Sequence, residues 1–307
     1  MDTDVIVSLR GVSRRKGVST GNVRTMILDN LNLEMRKGEI LGLIGPNGAG
    51  KTTLLKTLVG ASLPDHGTVR LFSSSPSDPG MKNRLGFLPE EVVFDGFLTG
   101  WEVIRYQARI RGRSWTGIER QANILGERLG LRASLDEKTG KYSRGMKQAL
   151  GLLIALAHKP DLALLDEPTS ALDPRAIHTL REYLGDVRSE GRSALISSHQ
   201  LSELELLSDT IALLDRGILK AVGRLSDLVA ARKEVRVTLG SASVEDLNKI
   251  PSGWSSSHQG SSVVLSCGDP LALEPLLTYL KARNVAVVDI ETRNSSLEDA
   301  FLRHTSE

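Results

Sequence analysis

Apolar and polar positions along this chain follow two different periods. Four short runs are almost wholly apolar: Ile40–Ile44, Leu162–Leu165, Ala194–Ser197 and Ile211–Leu214. Turn or charged residues bound each of them. Such runs predict strands of a parallel sheet buried on both faces, with helices between them. Val5–Leu9 and Leu31–Met35 alternate instead, which predicts a small antiparallel sheet at one side.

From about residue 92 to residue 159 there is no good strand pattern. Thr99-x-x-Glu102, followed by helical spacing, predicts a capped helix start. This stretch reads as a helical subdomain inserted into an α/β core. After about Ala231 the composition shifts, and Ser and Gly cluster in Gly240–Ser243 and Ser252–Ser262. Val235–Leu239, Val263–Ser266 and Val285–Ile290 predict strands, and Leu271–Arg283 an amphipathic helix. Ser295 and Glu298 predict a last helix opened by a capping box and carrying Leu297, Phe301 and Leu302. The expected organisation is an α/β domain over 4–231 and a small α+β domain, ferredoxin-like in topology, over 232–307.

The chemistry is concentrated after the first apolar run. Gly45-Pro46-Asn47-Gly48-Ala49-Gly50-Lys51-Thr52 matches G-x-x-x-x-G-K-[ST] between a strand and a helical run that begins at Thr53. Glycines there let several backbone N–H groups turn toward one anion, and the next helix adds its positive end. Lys51 is placed to reach β and γ phosphates, and the Thr52 hydroxyl to hold Mg²⁺. Leu162–Leu165 runs into Asp166 and Glu167, at the sheet edge where ligands bind. Two adjacent acids can simply cap the turn at Pro168. Downstream of a phosphate loop, Asp166 suits Mg²⁺ and Glu167 suits polarising a water.

With these motifs in place, the chain resembles the ATP-binding cassette family over residues 4 to about 230. Tyr142-Ser143-Arg144-Gly145-Met146 stands where the family has its Leu-Ser-Gly-Gly-Gln signature. Ser170-Ala171-Leu172-Asp173 resembles its D-loop, Ser197-Ser198-His199 its switch histidine, and Gly86-Phe87-Leu88-Pro89-Glu90 its Q-loop. The resemblance implies a P-loop NTPase, RecA-like core that hydrolyses ATP with Mg²⁺ held by Thr52, Asp166 and Glu90. It also implies a head-to-tail dimer, of two copies or with a related cassette. Gly45–Thr53 of one subunit would hold the phosphates, Ser143 and Gly145 of the other would cover them, and Asp173 would belong to the D-loop. Glu167 and His199 would be catalytic. The signature wording and the C-terminal Ser-Leu-Glu-Asp-Ala-Phe-Leu most resemble exporter cassettes whose permease is a separate chain. Residue by residue, Ser143 reads as an N-cap that aims the end of the following helix at an anion.

The chain departs from the family pattern in three respects. Glu90 replaces glutamine, and Arg144 and Met146 replace glycine and glutamine of the signature. The third is the base: no Phe, Tyr or Trp precedes Phe72. The matching segment Val12-Ser13-Arg14-Arg15-Lys16 offers cations, either as a solvated run or as stacking partners for adenine.

Composition narrows the function further. Lys and Arg number 39 against 37 Asp and Glu, so no global basic field points to nucleic acid. One cassette with no heptad arm also disfavours a soluble cassette acting on ribosomes or DNA. The single cysteine, Cys267, suggests a reducing interior. The N-terminus shows no signal-peptide pattern, and no apolar run approaches the roughly 20 residues of a membrane span. The expected location is therefore cytoplasmic, peripheral on the inner face of the cell membrane, with an integral membrane permease as partner. Val92, Val93, Phe94, Phe97 and Trp101 form an apolar group that is either core or the docking surface for that permease.

Without an upstream aromatic, the base loses a stacking contact worth roughly 1–3 kcal/mol in other nucleic-acid sites. Selectivity between ATP and GTP should accordingly be modest, and competition between them in a binding assay measures it. Strong rejection of GTP would reveal a base pocket built by other residues.

Overall fold

The computed structural model describes residues 4–15, 25–225, 233–240, 250, 253–259, 262–267 and 272–294. The chain divides into two units, Met1–Gly223 and Arg224–Glu307. Lys16 and the helix expected from Ser295 lie outside the described residues.

In the first unit, β1 (Val5–Arg15) lies between β2 (Met26–Arg36) and β4 (His66–Leu71), antiparallel to both. The second sheet has the order β5-β6-β7-β3-β8-β9 among the described residues. Its strands are β3 (Ile40–Ile44), β5 (Leu85–Leu88), β6 (Leu162–Asp166), β7 (Ser193–Ser198), β8 (Thr210–Asp215) and β9 (Ile218–Arg224). Pairing from β5 through β6, β7 and β3 to β8 is parallel throughout. All of β3, β6 and β7 is buried, as their largely apolar runs predict, and Asp166 of β6 and Ser193, Ser197 and Ser198 of β7 are buried with them. β8 turns into β9 through Arg216 and Gly217, both with positive φ, the conformation of a tight two-residue turn.

β4, β5 and β9 were not legible as strands. β4 and β9 are largely exposed and carry polar side chains, and β5 has only four residues. α1 (Lys51–Leu58) follows β3 and buries Leu54, Leu55 and Leu58 in the core that also holds Leu9, Leu33, Leu41 and Leu164. Each such leucine contributes roughly 1.5–3 kcal/mol relative to exposure.

The short α2 (Met81–Arg84) leads into β5, and the inserted helices stand between β5 and β6. They are α3 (Gly100–Ile110), α4 (Trp115–Arg128) and α5 (Arg144–Leu156). Thr99 opens α3 with the capping box expected, its side chain accepting from the Glu102 N–H while Glu102 reaches back to the Thr99 N–H. Trp101 and Trp115 meet edge to face, 6.0 Å between ring centres, with Arg132 over the first ring and Arg105 over the second. Beyond β6 come α6 (Pro174–Ser189) and α7 (Leu201–Leu207).

The second unit has a four-stranded sheet in the order β11-β12-β10-β13 among the described residues. Its strands are β10 (Lys233–Leu239), β11 (Ser255–Gln259), β12 (Ser262–Cys267) and β13 (Val287–Asn294). α8 (Leu273–Ala282) packs Leu276 and Leu280 with Val235, Val237 and Leu265. β11 runs through the serine cluster that composition had marked as a break. Backbone pairing with β12 holds it extended despite its lack of apolar residues.

One half-buried basic cluster ties the inserted helices to β5. Arg111, just after α3, donates to Leu85 O at 3.0 Å, and its Nη1 lies 3.1 Å from His158 Nε2. Burial, and then the Arg111 charge, push the His158 pKa down from 6.5 to about 4. The neutral ring is the form the fold accepts. As pH falls from 6.5 toward 4 the unfolded chain takes this proton first, so the fold loses stability across that window. Thermal melts should show a flatter acid decline in Tm for His158→Gln than for the parent.

Candidate functional site

The phosphate loop runs from the end of β3 to the start of α1. Gly45 has no alternative there, because a Cβ would sit 2.2 Å from the Leu214 carbonyl oxygen of β8. Gly50, the N-cap of α1, has φ of 109°. It places no side chain over the first N–H groups of α1, and no acid stands in the first turn. Those N–H groups and the positive helix end are left for an anion. Pro46, Asn47, Gly48 and Ala49 form the turn between, with Gly48 at φ of 83°. Thr53 continues α1.

Lys51 is 6% exposed. Its Nζ donates to Gly45 O at 2.7 Å and lies 3.6 Å from Glu167 Oε1. Parallel pairing of β6 with β7 sets Asp166 opposite Ser197, whose Oγ donates to Asp166 Oδ1. The other carboxylate oxygen, Oδ2, is buried without a hydrogen-bond partner. Burial raises the Asp166 pKa above the usual carboxylate range; the Ser197 hydrogen bond and the neighbouring Thr52 hydroxyl oppose the rise, and the Glu90 charge adds to it. Thr52 Oγ1 donates to Glu90 Oε2 at 3.4 Å. An orphaned carboxylate oxygen, a hydroxyl and a second carboxylate form an all-oxygen donor set. It suits Mg²⁺, which takes one or two carboxylates and completes its shell with water and phosphate.

Glu167 follows with φ of 48°, a conformation rare for a non-glycine residue. Its N–H donates to Ser197, both to the carbonyl oxygen and to Oγ. Gln148 Nε2 donates to Glu167 O at 3.2 Å. The backbone is thus gripped on both sides of the strained residue. Glu167 Oε2 lies 2.8 Å from His199 Nδ1. Burial raises the Glu167 pKa, and the His199 hydrogen bond, the His199 charge and Lys51 oppose the rise.

Lys51, Thr52, Glu90, Asp166, Glu167 and His199 therefore come together within one chain. Ser143, Gly145 and Asp173 do not join them: among the described residues no hydrogen bond or ion pair links these three to the phosphate loop. Ser143 is exposed and caps α5, accepting from the Met146 N–H at 3.2 Å, as its position suggested. Asp173 caps α6 through the Ala176 N–H at 2.7 Å, with Pro174 in the first turn. A Cβ on Gly145 would meet Ala171 O at 2.6 Å, so the start of α5 rests directly on the D-loop-like turn. Arg14 pairs with Asp65 at 3.3 Å, and the Arg15 N–H donates to the same carboxylate. A cleft of about 790 Å³ opens beside Thr52, with Glu90, Val92, Val93, Arg144 and Lys147 among its lining.

Sequence reasoning named Ser197 only as part of the segment leading to His199, and assigned no role to its side chain or to Gln148 and Glu203. Ser197 could have been found from strand register, since its position along the apolar run matches that of Asp166. Gln148 and Glu203 sit on helices with no motif of their own.

Comparison with known proteins agrees with this geometry. Residues 28–170 match the family model described as ABC transporter. An uncharacterized ABC transporter ATP-binding protein of Synechocystis sp. is 32% identical over 299 residues, covering 93% of this chain and 80% of that protein. The bacitracin transport ATP-binding protein BcrA of Enterococcus faecalis is 37% identical over 208 residues, 66% of each chain. A solved structure of an ATP-binding subunit of an ABC transporter superposes with a TM-score of 0.66 at 30% identity, covering 73% of this chain and 91% of that one. The chain belongs to the ABC transporter ATP-binding proteins, and is the ATP-binding and ATP-hydrolysing subunit of such a transporter.

Proposed function

We propose that the clustered residues divide the hydrolysis among them. The loop Gly45–Thr53 and the end of α1 hold the triphosphate, with Lys51 released from Gly45 O to the β and γ oxygens. Thr52, Asp166 and Glu90 would hold Mg²⁺, which would supply positive charge to the phosphate. Glu167 takes a proton from the water that attacks the γ phosphorus as the bond to the ADP oxygen breaks. Burial makes Glu167 a better base than an exposed carboxylate. His199 holds Glu167 and the water in line. The observation that carries this reading is the contact of one carboxylate with both Lys51 and His199 beside the phosphate loop.

Ser143, Gly145 and Asp173 make no hydrogen bond or ion pair to their own phosphate loop among the described residues, and the signature resemblance supports a head-to-tail dimer in which each copy completes the other's site. Among the described residues no helix is long and apolar enough to cross a membrane. That supports an integral permease on a separate chain and a peripheral place on the cytoplasmic face of the membrane. Export is the direction favoured by the exporter-like wording of the signature and tail. Every residue assigned to hydrolysis precedes residue 200, so residues 232–307 form an accessory domain.

Glu167→Gln keeps shape and removes the base. It should retain ATP binding and lower turnover by about 10²-fold or more. Lys51→Ala should weaken nucleotide binding itself. Parallel binding and phosphate-release assays check both, and near-normal turnover in Glu167→Gln would remove Glu167 from this role.

The permease should dock near Glu90–Trp101. Val93 and Phe97 are 78% and 82% exposed, so they are not core. Single cysteines at these two positions should crosslink to the permease, and crosslinks confined to other surfaces would refute this site.

A further inference from the structure

Behind the Glu167–His199 contact lies a second set of polar side chains that the catalytic scheme leaves unused. Thr169 stands two residues after Glu167, and Ser198 immediately before His199. Both are buried, at 5% and 1% exposure. Their hydroxyls donate to the same oxygen, Oε2 of Glu203 on α7, the Ser198 bond at 3.0 Å. Ser198 Oγ in turn accepts from the Gln200 N–H at 2.9 Å. A continuous chain of hydrogen bonds thus joins the turn after β6 to the turn after β7 through one carboxylate.

We propose that Glu203 is a positioning residue for hydrolysis, a clasp that fixes the loop carrying His199 against the loop carrying Glu167. This rests on the roles proposed for Glu167 and His199. The two loops leave neighbouring parallel strands, and no strand pairing extends past Ser198 to hold His199. Glu167 is fixed on its own side by Ser197 and Gln148. The His199 side chain is 46% exposed, and its hydrogen bond among the described residues is the one to Glu167. A carboxylate oxygen that accepts from both sides sets the distance between the turns, and a misplacement of about 1 Å is enough to cost roughly 10²-fold in rate. Glu203 touches neither Lys51 nor the phosphate loop among the described contacts, so its loss should spare nucleotide binding.

The plainer role for Glu203 is an acid in the first turn of α7, favourable to the helix end. Substitutions separate the two. Glu203→Ala removes the acceptor and the charge. Glu203→Gln removes the charge and keeps an oxygen able to accept from both hydroxyls. If Glu203 is a clasp, Glu203→Ala lowers kcat by about tenfold or more while KM and the Kd for ATP stay within about twofold to threefold, and Glu203→Gln recovers most of kcat. Ser198→Ala, which cuts one arm without touching α7, gives the same split in smaller measure and serves if Glu203→Ala does not fold. Glu167→Gln is assayed alongside. Unchanged kcat in Glu203→Ala and Ser198→Ala, with Glu167→Gln inactive, overturns the clasp alone. A Glu203→Gln as slow as Glu203→Ala, or a parallel loss of ATP affinity, also overturns it. An active Glu167→Gln would overturn the underlying catalytic assignment and the clasp with it.

Discussion

β6 and β7 run parallel with Asp166 directly opposite Ser197, and both strands are buried along their whole length. That register sets the site. The residue after each strand end, or the next, is where the backbone leaves the sheet, so Glu167 and the Ser198–His199 turn emerge side by side. A slip of one residue would turn Asp166 and Ser197 to the opposite face of the sheet. Apolar packing on both faces of the sheet makes that slip costly. The chemistry is therefore positioned by strands that take no part in it.

Electrostatics impose the second condition. Lys51, Asp166 and Glu167 are each less than about a tenth exposed. Buried charges are tolerable only when paired and hydrogen-bonded. Here each is compensated by another member of the site: Lys51 by backbone carbonyls and Glu167, Glu167 by Lys51 and His199, Asp166 Oδ1 by Ser197. Only Asp166 Oδ2 lacks such a partner. This imbalance is small and local, and it lies where a divalent cation would remove it.

What the sequence showed plainly was whatever is encoded within a few consecutive residues. The phosphate loop, the acids after Leu165, the Thr99–Glu102 box and the Ser143 cap are local devices, and their physics does not need the rest of the chain. β11 was hidden because its extended form comes from pairing with β12 and not from its own serines. The middle apolar group was ambiguous, since Val93 and Phe97 have the composition of a core and the exposure of a surface. Glu203 was invisible for a different reason. Its partners are Thr169 and Ser198, which only the fold brings near, and a glutamate in the first turn of a helix draws no notice. Arg14 reads from the sequence as either a solvated cation or a stacking partner, and the fold adds an ion pair with Asp65 that no local pattern announces.

The edge-to-face tryptophans give the molecule a built-in optical probe. Of the three tryptophans in the chain, two are Trp101 and Trp115, and both belong to the inserted helices; the third, Trp254, is in the C-terminal unit. The nucleotide-binding strands and α1 contain none. Emission from the paired indoles, each with a guanidinium over its face, therefore reports on the helical insert without labelling. In a protein with Trp254 replaced by phenylalanine, the signal would come from that subdomain alone, and rearrangement of its helices would be read as a change in intrinsic fluorescence.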